Sequence, residues 1–219
     1  MKPILFNTDM VQAILQNRKT VTRRIAFPNG DLQECMSRDN QAGWIFRGRL
    51  YENWDSAMKA KQGPMSLCRF RPGDVLYVRE TWKQATGDPA GGGYALFDTY
   101  VYKADGKAKD DYPLDGLMVE DRWHPSIHMP KEAARLFLRV TGVRLERLQA
   151  IKPEECVDEG AVKRPYYTRR GDLVVVGRYK KEFAQLWDST VKKSDLDRFG
   201  WEANPWIWRI TFEKCEKEV

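Results

Sequence analysis

Short β-branched and aromatic runs, separated by long stretches of Gly, Pro, Asn and charge, constrain this chain more than any other feature. A doubly wound parallel sheet needs a helix after nearly every strand to carry the chain back across the sheet. Helical spacing here is confined to a few short pieces. Residues 2–6 form an apolar strand candidate, and Asn7 or Thr8 caps a helix that places Met10, Val11, Ile14 and Leu15 on one face. Asn17, tolerant of the left-handed conformation, closes it. Strands are expected over 19–25, over 75–80 after the Pro72-Gly73 turn, over 99–103, over 135–147 with a bend or bulge at Gly142, and over 204–212. Lys152-Pro153-Glu154-Glu155 reads as the first turn of a short helix. A longer helix over 178–189 buries Phe183, Leu186 and Trp187. Some five or six strands without regular alternation predict an α+β fold: a small mixed β-barrel with peripheral short helices. One domain spans 1–219, with irregular insertions at about 28–71, where a small hairpin fits, and at about 87–130, both on the rim.

Charge narrows the class of partner. Thirty-seven Lys and Arg against 31 Asp and Glu give a net charge of +6, which favours RNA or DNA although it also serves solubility. No apolar run approaches the ~20 residues that cross a bilayer. The apolar start is too short for a secretion signal, so a cytoplasmic address is expected. Cys35, Cys68, Cys156 and Cys215 include no closely spaced pair of the kind zinc sites use, and neither a metal nor another cofactor is expected. His124 and His128 are four apart, but Pro125 and Pro130 oppose a helix there; an ordered, hydrogen-bonded loop is the reading.

Chemistry concentrates in Arg18-Lys19-Thr20-Val21-Thr22-Arg23-Arg24, four cations and two hydroxyls in seven residues. Arginine forks and a lysine point charge suit phosphate, and a threonine hydroxyl can bond a base edge or attack a carbonyl. The same pattern also describes a solvated basic edge strand. Alternation puts Thr20, Thr22 and Arg24 on one face and Lys19, Val21 and Arg23 on the other. Lys19 and Thr22 meet only if Lys19 lies in the turn before the pleat. Glu159, ahead of a helix-closing Gly160, is a second candidate, as a surface acid or as one pointing into a cavity. Glu80 shares its strand face with Leu76 and Val78 and is expected as a buried acid paired with a basic-strand arginine. Trp201, Trp206 and Trp208 are either core or a stacking platform for bases.

These residues together resemble a known family. Asn17-Arg18-Lys19-Thr20-Val21-Thr22-Arg23-Arg24, Pro72-Gly73-Asp74-Val75-Leu76, Asp158-Glu159-Gly160 and a closing aromatic strand occur in the chain order of an ASCH domain. The resemblance implies a PUA-like β-barrel associated with RNA binding. With Val78-Arg79-Glu80-Thr81-Trp82 and Asn204-Pro205-Trp206, the chain is similar to the longer ASCH proteins carried by bacteriophages and prophages. A compact branch of the family hydrolyses the acetyl amide of N4-acetylcytidine. By that resemblance Lys19 is the proton acceptor, Thr22 the nucleophile and Glu159 the proton donor. Arg18, Thr20, Arg23, Arg24, Glu80, Trp82 and Trp206 are expected as substrate or nucleic-acid contacts. Asn17 stands where that branch has glycine, and Arg23 where it has an apolar residue. Two alternatives stay open: a non-catalytic RNA-binding module, and a metal-independent ribonuclease using Lys19 or Tyr77 as proton donor.

Overall fold

The computed structural model describes residues 1–29, 32–36, 42–87, 97–106, 117–161 and 176–217. In chain order these residues form β1 (Lys2–Leu5), α1 (Thr8–Leu15), β2 (Val21–Ile25), β3 (Leu32–Met36), β4 (Ala42–Phe46), β5 (Arg49–Tyr51), α2 (Trp54–Lys59), β6 (Val75–Arg79), β7 (Trp82–Gly87), β8 (Phe97–Tyr102), β9 (Leu117–Val119), β10 (Phe137–Arg147), α3 (Pro153–Asp158), α4 (Val176–Thr190), α5 (Leu196–Phe199) and β11 (Trp206–Cys215). The chain divides into two compact units: Met1–Thr20 with Gly73–Val140 and Phe212–Val219, and Val21–Pro72 with Thr141–Thr211. Strands β10 and β11 each contribute residues to both.

In the first unit β1 runs parallel to β6 (Lys2↔Leu76 to Leu5↔Arg79), and β10 runs antiparallel to β6 (Phe137↔Tyr77 to Arg139↔Val75), so the sheet is mixed. Its inner positions are apolar where β6 and β10 are enclosed: Leu76, Val78 and Leu138 have no exposed surface. Asn7 caps α1 by accepting from the Met10 N–H at 2.9 Å. Asn17 adopts φ 56°, and the Arg18 N–H then returns to the Ala13 carbonyl at 2.8 Å, so a left-handed residue ends the helix and turns the chain toward β2. Strand β7 pairs antiparallel with both β8 and β9. Trp82, Met129, Ala133, Ala134 and Phe137 pack with Val75 as a second core.

In the second unit β2 and β11 pair antiparallel, from Val21↔Thr211 to Ile25↔Ile207. Strands β3, β4 and β5 form an antiparallel meander. Helices α3 and α4 supply the main core, where Leu148, Ile151, Cys156, Tyr179, Phe183 and Trp187 close around Ile207 of β11. Gly142 marks a close approach: a Cβ there would stand 2.8 Å from the Thr211 hydroxyl, which donates to the Gly142 carbonyl at 3.2 Å. Gly160, at φ 73°, ends α3 and leaves Glu159 as its cap.

Three expectations are corrected. The described residues hold eleven strands rather than five or six. The segment over 28–71 folds into a three-stranded meander and a helix, not a lone hairpin, and β7 and β9 join the one strand expected near 99–103. Both were hidden because β7 is half polar and β9 is three residues long. Leu186 is only half-buried; the inward face of α4 is Tyr179, Phe183 and Trp187, at a helical spacing of four.

Candidate functional site

Alternation along β2 sends Val21, Arg23 and Ile25 to one face and Thr22 and Arg24 to the other. The first face is the one that packs on α3 and α4, since Ile25 touches their core. Arg23 is therefore carried inward, its guanidinium lying 5.9 Å from the Phe183 ring centroid with the side chain only 1% exposed. A buried cation needs partners for its donors. Three carboxylates provide them: Glu159 accepts from Nη1 at 3.0 Å, Glu155 from Nη2 at 2.7 Å, and Glu146 from Nη2 at 2.9 Å and Nε at 3.2 Å.

The register adds a second demand. Arg209 of β11 lies directly opposite Arg23, and like charges in that position repel. Glu155 resolves the conflict by bridging both, its other oxygen forming an ion pair with the Arg209 guanidinium at 3.1 Å. Burial works against the charge of Arg23, but Glu159, Glu146 and Glu155 outweigh it and hold the guanidinium above its usual value. Burial likewise opposes ionisation of Glu155, yet the Lys152 N–H and the charges of Arg23 and Arg209 keep its carboxyl below the usual range. The neighbouring Cys156 thiol, buried on the same helix, is pushed up to about 11.

Beside this clamp lies a cavity of about 290 Å³, bounded by Arg23 and Arg24 of β2, Trp187 of α4, Lys192, Asp195 and Phe199 of α5. Its lining combines the cations Arg23, Arg24 and Lys192 with the acid Asp195 and the rings of Trp187 and Phe199. Arg24 is exposed at its surface, yet burial around its guanidinium lowers it below its usual value, against the raising charge of Glu159.

The other residues singled out by sequence are dispersed over the two units. Lys19 belongs to the first unit and Thr22 and Glu159 to the second, and all three are buried. The Lys19 ammonium stands 5.6 Å from the Phe6 ring centroid. Thr22 and Arg23 leave β2 on opposite faces, and it is Arg23 that meets Glu159. Arg18 is half-buried, with Nε donating to Gln16 at 2.8 Å, and Thr20 is exposed.

Glu80 is buried as expected, but its partner is Arg135, not an arginine of β2. The two pair through both carboxylate oxygens, at 2.9 and 3.0 Å. Arg135 also binds Asp105 at 2.7 Å and lies 3.9 Å from the Tyr102 ring centroid. Burial raises the Glu80 carboxyl above its usual range in spite of that pairing. Trp82 is enclosed, with His124 at 4.9 Å and Tyr100 at 5.6 Å between ring centroids. Trp206 stacks on Trp54 at 5.1 Å, and the Arg147 guanidinium lies 4.4 Å from its centroid. A base stacking on Trp206 would have to displace one of them. His124 bonds Glu120 at 2.6 Å within its loop.

Sequence reasoning passed over Glu146, Glu155, Arg209, Arg135 and Lys192. Glu155 had a signal, since it lies four residues before Glu159 and shares its helix face. The others are brought in by strand register and loop placement. Among the described residues no group of His, Cys, Asp or Glu is arranged to hold a metal ion, and no helix is long and apolar enough to cross a membrane. No family model, curated protein or solved structure matches the chain.

Proposed function

We propose that the chain is an ASCH-type protein with a PUA-like β-barrel that binds RNA or a modified nucleoside at the cavity beside β2. The mixed pairing of β1, β6 and β10 supports the barrel. The observation that carries the binding role is the cavity itself. At about 290 Å³ it lies at the small end of the ~300–1,000 Å³ usual for small-molecule sites, a size for one nucleoside. Trp187 and Phe199 offer aromatic surface to a base, Asp195 an acceptor for an exocyclic amine, and Arg24 and Lys192 positive charge for a phosphate. Arg23 belongs to the lining and is held by its three carboxylates.

Calorimetric titration with cytidine and with cytidine 5′-monophosphate tests this. The nucleotide binds more tightly than the nucleoside, and Lys192→Ala removes most of that preference, roughly tenfold for one charge-assisted bond. Absence of heat with both ligands would defeat the reading.

The family resemblance carries a second reading, hydrolysis of an N4-acetyl amide with Thr22 as the nucleophile. Cytidine release from N4-acetylcytidine, followed by chromatography, decides it. Release that is absent, or equal in Thr22→Ala, ends this reading.

A further inference from the structure

Much of the net positive charge lies away from the basic strand, between β4 and the turn that precedes β6. Residues 42–72 contain six cations (Arg47, Arg49, Lys59, Lys61, Arg69 and Arg71) against two acids, Glu52 and Asp55, a net of +4 in a chain whose total is +6. Three of these cations surround one concave feature. Arg47, Arg49 and Lys61 line a cavity of about 320 Å³ with Tyr51, Gln62 and Ser66.

Two further observations point to a ligand there. Tyr51 is 7% exposed, and its hydroxyl is buried without a hydrogen-bond partner, an arrangement that costs free energy unless something supplies the partner. Arg47 sits at φ 50° in the two-residue loop of the β4–β5 hairpin, ahead of Gly48 at φ 78°. Such loops favour Asn or Asp before the glycine, so the arginine there sits in a strained backbone conformation. The cations are also oriented: the Arg47 guanidinium lies 5.7 Å from the Phe46 ring centroid, and that of Arg49 5.6 Å from the Tyr51 centroid. Fork-shaped donors, an ammonium, an amide and an unpaired phenol around one hollow match the tetrahedral oxygens of a phosphate.

We propose that this cavity is a second nucleic-acid contact, taking a backbone phosphate of single-stranded RNA, with Arg47, Arg49 and Lys61 supplying charge and Tyr51 donating its hydroxyl to a phosphate oxygen. It lies outside the β2 cavity and goes beyond that reading, while sharing its RNA. Stacking surface is not required, and contact through phosphate alone makes the site indifferent to sequence.

The test measures binding of a fluorescent single-stranded RNA by anisotropy across a salt series, in the full chain and in Arg49→Ala, Lys61→Ala and Tyr51→Phe. Each cation variant weakens binding several-fold and flattens the log–log salt slope by about 0.7. Tyr51→Phe, which keeps the ring packing, weakens it roughly threefold to tenfold and leaves the slope unchanged. Circular dichroism melting confirms folding of each, and the exposed Arg49 and Lys61 keep the test valid should Tyr51→Phe unfold. Unaltered affinity and slope in folded variants overturn the proposal. Thermal protection by inorganic phosphate beyond matched chloride, with RNA affinity unaltered, assigns the cavity to the free anion and overturns it too. Weakening in Arg24→Ala with none in the three variants overturns this inference and spares the β2 cavity. The reverse pattern spares this inference alone, and absence of RNA binding by the unaltered chain overturns both.

Discussion

Each unit encloses a charged side chain at 1% exposure, and the two are stabilised differently. In the second unit the enclosed group is the cation Arg23, met by carboxylates from β10 and from α3 and its cap. In the first it is the anion Glu80, met by Arg135, which is itself 28% exposed and shared with Asp105. Three opposite charges overcome the burial of Arg23, whereas one shared arginine does not overcome the burial of Glu80. The lesson is that partner number decides whether a buried ion is held charged or driven toward neutrality. The Arg23 guanidinium is consequently held charged, and the Glu80 carboxyl is pushed toward its neutral form.

The largest effect that sharpens this contrast is Arg23→Met. It leaves Glu146, Glu155 and Glu159 converging on an apolar side chain, so the loss of stability in urea unfolding is about 3–5 kcal/mol. A loss below about 1 kcal/mol would show that the carboxylates relax into water and that no clamp exists. Glu80→Gln costs less, about 1–2 kcal/mol, because Arg135 keeps Asp105 and its place on Tyr102. If it costs as much as Arg23→Met, the contrast between the units fails.

The smallest effect is in pH dependence, where the two clusters have opposite signs. Glu155 has a depressed carboxyl, so its contribution is present above the ordinary carboxylate value near 4.5 and is lost as pH falls through its lower folded value. Glu80 has a raised carboxyl, so its contribution is full below that ordinary value and is lost as pH rises through its higher folded value. Unfolding free energies measured by urea titration from pH 3 to 7 should therefore fall less steeply on acidification in Glu155→Gln and more steeply in Glu80→Gln. Parallel curves for the two variants would contradict the assignment.

How much of this was legible depended on range. Asn17 and Gly160 announced left-handed positions, and each has positive φ at the end of its helix. The burial of Glu80 followed from its alternation with Leu76 and Val78, yet its partner lies 55 residues away, on a loop no periodicity reaches. Half of the clamp was written locally, in the spacing of Glu155 and Glu159. The other half, Glu146 and Arg209, exists only because β10 and β11 present them to Arg23. An arginine in place of an apolar residue on β2 was visible as a departure, but its inward course required knowing that α3 and α4 cover that face. The meander within 28–71 stayed hidden because Gly, charge and isolated aromatics mask its alternation.

The central claim is that the cavity beside β2 receives a nucleotide against a positive rim. Its most direct test is the affinity of the unaltered chain and of Arg24→Glu for a 5′-phosphorylated cytidine dinucleotide, measured at 50 mM and again at 200 mM salt. Binding is expected to weaken with salt in the unaltered chain and to be lost in Arg24→Glu. Equal affinity in the two proteins at both salt concentrations would contradict it.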